Sequence, residues 1–187
     1  MDQLAKVLGF AGSLRKDSYN RALLNAAVEL APKDVKLEIC VLDGIPPFSQ
    51  DLESSVPGTV KEFKNKIKDA DAILIVTPEY NYSVPGVLKN AIDWASRPRG
   101  DNSWENKPVA IMSASTGMLG GARAQYHLRQ SLVFLNMYPI NKPEIFVALA
   151  AQKFDEKGKL LDQKTKELIT ELLGNLASWT RKLQSKT

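Results

Sequence analysis

The sequence predicts an α/β domain in which helices cover both faces of a five-stranded parallel sheet. Short apolar runs alternate with segments of helical periodicity, which is typical of strands joined by crossover helices. The run 72–76, Ala-Ile-Leu-Ile-Val, lacks polar alternation, as expected for a central strand buried on both faces. The 187 residues, 44% of them hydrophobic, suffice for one core but leave no room for a second substrate domain.

Each element follows from the local pattern. Strands are predicted for the apolar runs 7–11, 35–42, 72–76, 109–112 and 145–149. Helices are predicted where apolar residues recur at helical spacing, at 22–30, 60–67, 84–95, 122–135 and 168–183. No internal repeat or interdomain linker is evident, so residues 1–187 are interpreted as a single domain. If the doubly wound strand order is 2-1-3-4-5, ligands bind beyond the carboxyl ends of the first and third strands.

Charge and cysteine content argue against several classes of function. The net charge of +4 comes from the C-terminal half, without a basic run interleaved with aromatic residues, so we expect no nucleic-acid partner. Cys40 is the single cysteine and lies in an apolar run, which predicts a core position and excludes an intramolecular disulfide. The N-terminus does not resemble a signal peptide and no apolar stretch approaches ~20 residues. We therefore expect a cytoplasmic protein without membrane contact.

The loop after the first strand predicts a phosphate site. Its sequence, Gly-Ser-Leu-Arg-Lys-Asp-Ser-Tyr-Asn at 12–20, leads into a helix whose N–H groups and dipole favour an anion. Ser13 and Ser18 add hydroxyl donors, and Asn20 adds an amide. Arg15 adds a planar charged donor suited to phosphate. Simple helix capping by Asp17 or Ser18 is the alternative, although it would not require Arg15 or Ser13. Glycine motifs for a pyrophosphate or a triphosphate are absent, which favours a monophosphate.

Two further loops follow the third and fourth strands. The loop 77–86 contains two tyrosines and two prolines, which favour contact with a flat ring. The loop 113–121 contains three glycines and several hydroxyls, so a ligand can approach its backbone closely. Because all three loops follow parallel strands, we expect them to form one crevice, with an anion site on one side and a ring site on the other.

These loops resemble the NADPH-dependent FMN reductase family, which includes quinone, azo-dye and chromate reductases. The similarity lies in Gly-Ser-Leu-Arg at 12–15, Pro-Glu-Tyr-Asn-Tyr-Ser-Val-Pro-Gly at 78–86 and Gly-Gly-Ala-Arg at 120–123, and it extends from about residue 5 to 150. It implies a flavodoxin-like fold, FMN as cofactor and NADPH or NADH as co-substrate. The cofactor-binding residues predicted with it are Ser13, Leu14, Arg15, Lys16, Asp17, Ser18, Tyr19, Asn20, Pro78, Glu79, Tyr80, Asn81, Tyr82, Ser115 and Gly117.

The activity implied by the resemblance is hydride transfer from NAD(P)H through FMN to quinones, azo compounds, free flavin or chromate. Because the cofactor carries this chemistry, no side chain is predicted as a catalytic acid or base, and no metal ligand cluster is found. The single histidine, His127, is predicted to be a packing or surface residue of a helix. The alternative function is a flavodoxin-like electron carrier, which the positive net charge disfavours because such carriers are usually acidic.

A homodimer or homotetramer is also expected from the resemblance. The apolar helix from Val84 to Trp94 is predicted to be buried against a second subunit, which would then cover the flavin. Arg123, Tyr126 and Glu144 are predicted to form polar contacts between subunits.

Overall fold

A parallel sheet between two helical layers organises the computed structural model, which describes residues 4–185. The strands are β1 (Ala5–Ala11), β2 (Val35–Ile39), β3 (Ala72–Val76), β4 (Pro108–Ala114), β5 (Tyr138–Pro139) and β6 (Ile145–Val147). Their order is β2-β1-β3-β4-β5, with β6 also paired to β4, and every pairing is parallel. The predicted fold class and strand order are confirmed.

The last position of the sheet differs from the prediction of one strand at 145–149. Here β5 pairs with the start of β4, whereas β6 pairs with its end. Ile140 N–H still donates to the Val109 carbonyl at 2.9 Å, and residues 141–144 then leave the ladder. Pro143 lies within this segment, and proline has no backbone N–H to donate to a neighbouring strand. One sheet position is therefore divided between two short strands.

Five α-helices complete the layers: α1 (Tyr19–Glu29), α2 (Gly58–Asp69), α3 (Gly86–Ala95), α4 (Ala122–Phe134) and α5 (Gln163–Gln184). Short 3-10 helices occupy 50–55 and 150–152. Alternate residues of the strands face opposite layers, as strand geometry requires. Leu74 and Met112 pack with α1 and α5, whereas Ile73 and Ile111 pack with α2, α3 and α4. Within residues 4–185, no helix is long and apolar enough to cross a membrane.

The apolar face of α3 is buried by its own chain, contrary to the prediction of a subunit interface there. Leu88, Ile92 and Trp94 are each at most 3% exposed and lie against the α2 side of the sheet and the loop after β2. The Trp94 indole N–H also donates to the Pro46 carbonyl at 2.8 Å. Helical periodicity shows that a face is buried, but it does not tell which chain buries it.

Candidate functional site

The three predicted loops leave the sheet side by side. Gly12 N–H donates to the Val76 carbonyl at 2.9 Å, which joins the ends of β1 and β3. Thr77 N–H donates to the Met112 carbonyl at 2.9 Å, which extends the ladder between β3 and β4. These bonds place the loops after β1, β3 and β4 at one edge of the sheet. The predicted crevice is therefore present at the carboxyl ends of the strands.

The loop after β1 has donors without protein partners. Among the described residues 4–185, the backbone N–H groups of residues 13–17 donate to no other residue. Ser13 is only 5% exposed, yet its hydroxyl has no hydrogen bond within the same part of the chain. Residues 14–17 are exposed, so their N–H groups are open to solvent or to a ligand. An anion such as a phosphate satisfies several of them at once.

Side chains at the end of this loop have structural partners. The Ser18 hydroxyl caps α1 by accepting the Asn20 N–H at 3.3 Å. The Asn20 side-chain amide, predicted to donate to a phosphate, pairs with both backbone groups of Ala114 through its oxygen and one of its two N–H groups, with each bond 2.9 Å long. Asn20 thus joins the first turn of α1 to the end of β4. This side chain fixes the distance between the first and third loops.

The remaining predicted residues of the loop differ in exposure. Leu14, Arg15, Lys16 and Asp17 are exposed, and the Arg15 guanidinium donates to the Asp17 carbonyl. Tyr19 is half-buried, and its ring lies 5.5 Å from that of Phe154, in the hydrophobic layer that contains α1. The tyrosine ring is therefore part of the packing beneath the loop.

The loop after β3 is a tight hairpin. Tyr80 and Ser83 exchange two backbone hydrogen bonds of 3.0 Å, with Asn81 and Tyr82 at the turn. Both turn residues have positive φ, 48° and 68°, a conformation that is unusual for a residue as bulky as tyrosine. Strained backbone of this kind persists where surrounding contacts fix it and is common at functional sites. The hairpin presents the exposed rings of Tyr80 and Tyr82.

Contacts from α4 hold this hairpin in place. The Glu79 carboxylate accepts the backbone N–H groups of Arg123 at 3.1 Å and Ala124 at 3.4 Å, and it also forms an ion pair with the Arg123 side chain. The hydrogen bond between the two side chains raises the pKa of Arg123. The Arg123 guanidinium carbon lies 3.5 Å from the centre of the Tyr82 ring. The contacts of Glu79, Arg123 and Tyr82, here called the α4 clamp, therefore fix the strained turn.

The loop after β4 is fixed from within. Ser113 donates to the Gly120 carbonyl at 2.6 Å and accepts the Gln125 amide at 2.7 Å. Gly120 has φ of 58°, and a Cβ there would meet the Phe146 carbonyl carbon at 2.6 Å, so a side chain is excluded. Ser115 is half-buried and its hydroxyl accepts the N–H of the exposed Gly117 at 3.1 Å. This loop approaches the crevice with a fixed backbone.

Exposed apolar side chains surround the crevice. One comes from the first loop, two from the hairpin and two from the third loop: Leu14, Tyr80, Tyr82, Met118 and Leu119. Pro78 is buried at the base of the hairpin. Exposed large apolar groups gathered around a cleft mark a binding surface rather than ordinary surface chemistry. The arrangement offers an anion site at one end and apolar contacts for a planar ring at the other.

Sequence reasoning missed several contacts that build this site. The partners of Asn20 and Glu79 lie about a hundred and about forty positions away, so spacing alone gives no signal for either contact. Gln125 lies on a helix and belongs to no recognisable motif. The Gly-Gly-Ala-Arg run at 120–123 likewise does not indicate that Arg123 binds the Glu79 carboxylate. His127 is exposed on α4, as predicted, with Nδ1 lying 3.1 Å from the Ser83 hydroxyl.

Known proteins share both the sequence and the fold. A sequence model of the NADPH-dependent FMN reductase family matches residues 5–152. The chain belongs to this family. It is 51% identical over 180 residues to an NAD(P)H-dependent FMN reductase of Pseudomonas aeruginosa, covering 96% of this chain and 97% of that protein. It is 45% identical over 182 residues to a quinone reductase of Pseudomonas putida, covering 97% of both chains.

A solved structure extends this similarity to three dimensions. The flavoenzyme FerB of Paracoccus denitrificans, an NAD(P)H:acceptor oxidoreductase, superposes with a TM-score of 0.87 at 35% identity, over 95% of this chain and 98% of FerB. The chain is accordingly an oxidoreductase of the FMN reductase family, and its cofactor is FMN. The unpaired donors of residues 13–17 fit the phosphate of this cofactor. Among residues 4–185, no cluster of His, Cys, Asp or Glu suited to a metal ion is found.

Proposed function

We propose that this protein is an NAD(P)H:quinone oxidoreductase in which one crevice receives hydride from the nucleotide and delivers it to a quinone. The observation that carries the proposal is the loop after β1, where five backbone N–H groups and the Ser13 hydroxyl lack acceptors among residues 4–185, beside an apolar crevice. Relatives of nearly equal length named as FMN and quinone reductases support it. Azo compounds, free flavin and chromate are further acceptors within the same proposal.

The phosphate of FMN is assigned to residues 13–18. The Ser13 hydroxyl and the open N–H groups supply donors, Arg15 supplies charge and Ser18 adds its hydroxyl. Asn20 fixes the loop against β4 through Ala114, and the second N–H group of its side-chain amide is a further donor to the phosphate. A phosphate held by several N–H groups at a helix N-terminus is favoured by both hydrogen bonding and the helix dipole.

The ring of FMN is assigned to the space between the hairpin 78–82 and the loop at Ser115 and Gly117. Tyr80 and Tyr82 supply apolar surface, while the Glu79 carboxylate points to α4 and contributes only through its backbone. Bound FMN supplies the hydride acceptor and donor, which no side chain of this protein can replace. The protein contributes orientation and a rigid turn, so no acid or base is assigned to the reaction.

The same exposed side of the crevice serves both substrates in turn. NAD(P)H binds first and leaves oxidised, and the quinone then occupies the space that it vacates. The exposed Leu14, Met118 and Leu119 give this space an apolar boundary suited to a flat quinone. We place this single-domain protein of 187 residues in the cytoplasm, where disulfides are rare. Its one cysteine is buried and free, which agrees with that location.

The visible spectrum of the purified protein tests this proposal. We expect flavin absorption bands that disappear on anaerobic addition of NADPH or NADH and return when a benzoquinone is added. A colourless protein that does not take up FMN would overturn the assignment. If the flavin stays oxidised with both nucleotides but reacts with a separate reductase, the electron carrier is correct instead.

We also propose that the protein forms a homodimer or homotetramer through α4. Val133 and Phe134 are 81% and 89% exposed at the end of this helix, far more than its other apolar residues. Tyr126 is half exposed on the same helix. Tyr126 and Glu144, both predicted to contact a second subunit, bond to each other within the chain at 3.1 Å, and Arg123 pairs with Glu79. Apolar contacts of α4 therefore replace those polar contacts as the basis of the assembly.

Light scattering on the eluted peak tests the assembly. The natural protein should have a mass of at least twice 20.7 kDa, and Phe134→Lys should lower it because a buried charge opposes association. Val28→Lys is a matched control, since Val28 is an exposed apolar residue of α1. A monomer at micromolar concentration, or an equal effect of both variants, would contradict the role of α4.

A further inference from the structure

A second cleft lies on the outer side of the phosphate loop. It has a volume of about 680 Å³ and separates the start of α1 from the turn at 155–158. Its charged walls are formed by residues from both segments: Arg15, Lys16, Asp17, Arg21, Asp155, Glu156 and Lys157. The cleft shares residues 15–18 with the proposed FMN phosphate site. A ligand in it would therefore lie directly beside the bound flavin's phosphate end.

The turn that forms one wall is rigid. The Asp155 carboxylate accepts the N–H groups of Lys157 at 2.9 Å and Lys159 at 2.8 Å, and Gly158 N–H donates to the Asp155 carbonyl at 2.9 Å. A Cβ on Gly158 would lie 3.6 Å from the Cβ of Ala22, so the turn also contacts α1. The backbone of Lys157 thus has a defined position, and the Asp155 carboxylate is already engaged by the turn.

The cations of the cleft have no carboxylate partners in the part of the chain that the structure describes. Of the ion pairs formed among residues 4–185, none includes Arg15, Lys16, Arg21 or Lys157. Arg15 donates to the Asp17 carbonyl, and Arg21 makes only a long bond of 3.4 Å to the Leu14 carbonyl. These four cations outnumber the three carboxylates of the lining by one, so the cleft has a small net positive charge that favours anions.

Three carboxylates line the cleft, and the two that the turn does not engage, Asp17 and Glu156, restrict the chemistry of the ligand. Asp17 and Glu156 also lack ion-pair partners among the described residues. In dinucleotide sites, carboxylates accept hydrogen bonds from ribose hydroxyls, whereas an arginine accommodates the 2′-phosphate that distinguishes NADPH. Cations and carboxylates together therefore suit a phosphorylated ribose better than an inorganic anion alone.

We propose that this cleft binds the adenosine ribose of NAD(P)H, with Arg21 and Lys157 contacting the 2′-phosphate of NADPH. Asp17 and Glu156 face the 3′-hydroxyl, which is the one free hydroxyl on this ribose in NADPH, and also the 2′-hydroxyl in NADH. Arg15 remains with the FMN phosphate on the other side of the shared loop. This inference rests on the proposed function and adds to it the residues that determine the choice between NADPH and NADH.

Steady-state kinetics with both nucleotides test the assignment on the FMN-loaded protein. Arg21→Ala and Lys157→Ala should each lower kcat/KM for NADPH at least tenfold and change that for NADH less than twofold, because only NADPH carries the 2′-phosphate. Lys164→Ala, at an exposed position of α5 outside the cleft, is the charge-matched control and should change neither value. Equal decreases with both nucleotides, or no decrease in either variant, would overturn the proposal.

Calorimetry gives a readout that does not depend on turnover. Adenosine 2′,5′-bisphosphate should bind the FMN-loaded protein at least tenfold more tightly than adenosine 5′-monophosphate, and the difference should vanish in the Arg21→Ala, Lys157→Ala double variant. Equal binding of the two nucleotides to the natural protein would refute the cleft assignment. Failure of the proposed function would give a different result: NADH would not reduce the flavin bound to the natural protein.

Discussion

The loops after β1 and β3 contribute to the same crevice but differ in how their polar groups are satisfied. In the first loop, the N–H groups of residues 13–17 and the Ser13 hydroxyl have no partners among residues 4–185. In the second, Tyr80 and Ser83 bond to each other, and the Glu79 carboxylate is held by α4. One loop leaves its donors available to a ligand, whereas the other uses its polar groups for contacts within the chain.

This difference separates binding from positioning. Changes in the first loop should weaken affinity for FMN and leave the FMN-free protein stable, because they remove interactions that only the ligand makes. Changes in the α4 clamp should destabilise the FMN-free protein itself, since the clamp is built from hydrogen bonds and an ion pair within the chain. This distinction is tested by measuring both the free energy of unfolding of the FMN-free protein and the Kd for FMN on the same variants.

The largest effect is expected at Glu79. Glu79→Ala removes a largely buried carboxylate that pairs with Arg123 and receives N–H groups of α4. We expect the free energy of unfolding of the FMN-free protein to fall by about 2–4 kcal/mol, measured by urea denaturation.

The control is Glu171→Ala, which removes an exposed carboxylate from α5 and should change stability by less than ~0.5 kcal/mol. Equal stability of the two variants would mean that the α4 clamp does not hold the hairpin. If Glu79→Ala lowers FMN affinity but leaves the stability of the FMN-free protein unchanged, Glu79 contacts the cofactor. The second loop would then act as the first loop is expected to act.

An intermediate effect is expected at Arg15. Arg15→Ala should raise the Kd for FMN roughly tenfold to a hundredfold, as expected for removing a hydrogen bond to a charged group worth about 1.5–3 kcal/mol. Quenching of flavin fluorescence measures this Kd, and urea denaturation of the FMN-free protein should show no change. Arg99→Ala, at another exposed arginine, is the control. Unchanged FMN affinity would refute the assignment of Arg15 to the phosphate.

The smallest effect is expected at His127. His127→Gln retains a polar group near the Ser83 hydroxyl, which lies 3.1 Å from Nδ1, and this contact is exposed. We expect kcat with NADH and benzoquinone to stay within about twofold and the free energy of unfolding to change by less than ~0.5 kcal/mol. A large decrease in kcat at unchanged FMN content would show that the second loop depends on its histidine contact as well as on the α4 clamp.

Much of the fold was predictable because parallel strands and amphipathic helices have distinct periodicities. The run 72–76 became the central strand β3, and the five helical segments became α1 to α5 with ends shifted by a few residues. The division of the last sheet position was not predictable from apolar content, because Tyr138 and Pro139 do not form an apolar run. Their pairing with β4 depends on where the chain returns after α4.

The candidate site was predictable to a different extent in its two parts. Ser13 and Arg15 were predicted as phosphate ligands from the type and order of residues alone, and the structure leaves the Ser13 hydroxyl without a partner among residues 4–185. The roles of Asn20 and Glu79 were not, because each side chain is engaged by a backbone group from a distant segment. The residue types predicted that Asn20 and Glu79 make polar contacts, but they did not predict the partners.

The sequence by itself determined the fold class and the family, because these depend on local periodicity and on contiguous motifs, and the family resemblance implied the order of the strands. Tertiary structure decided which donors remain available to a ligand, which chain buries the apolar face of α3, and where cations gather outside the flavin crevice. The physical reason is that hydrogen-bond satisfaction and burial are properties of pairs of segments. Their partners are chosen only when the chain has folded.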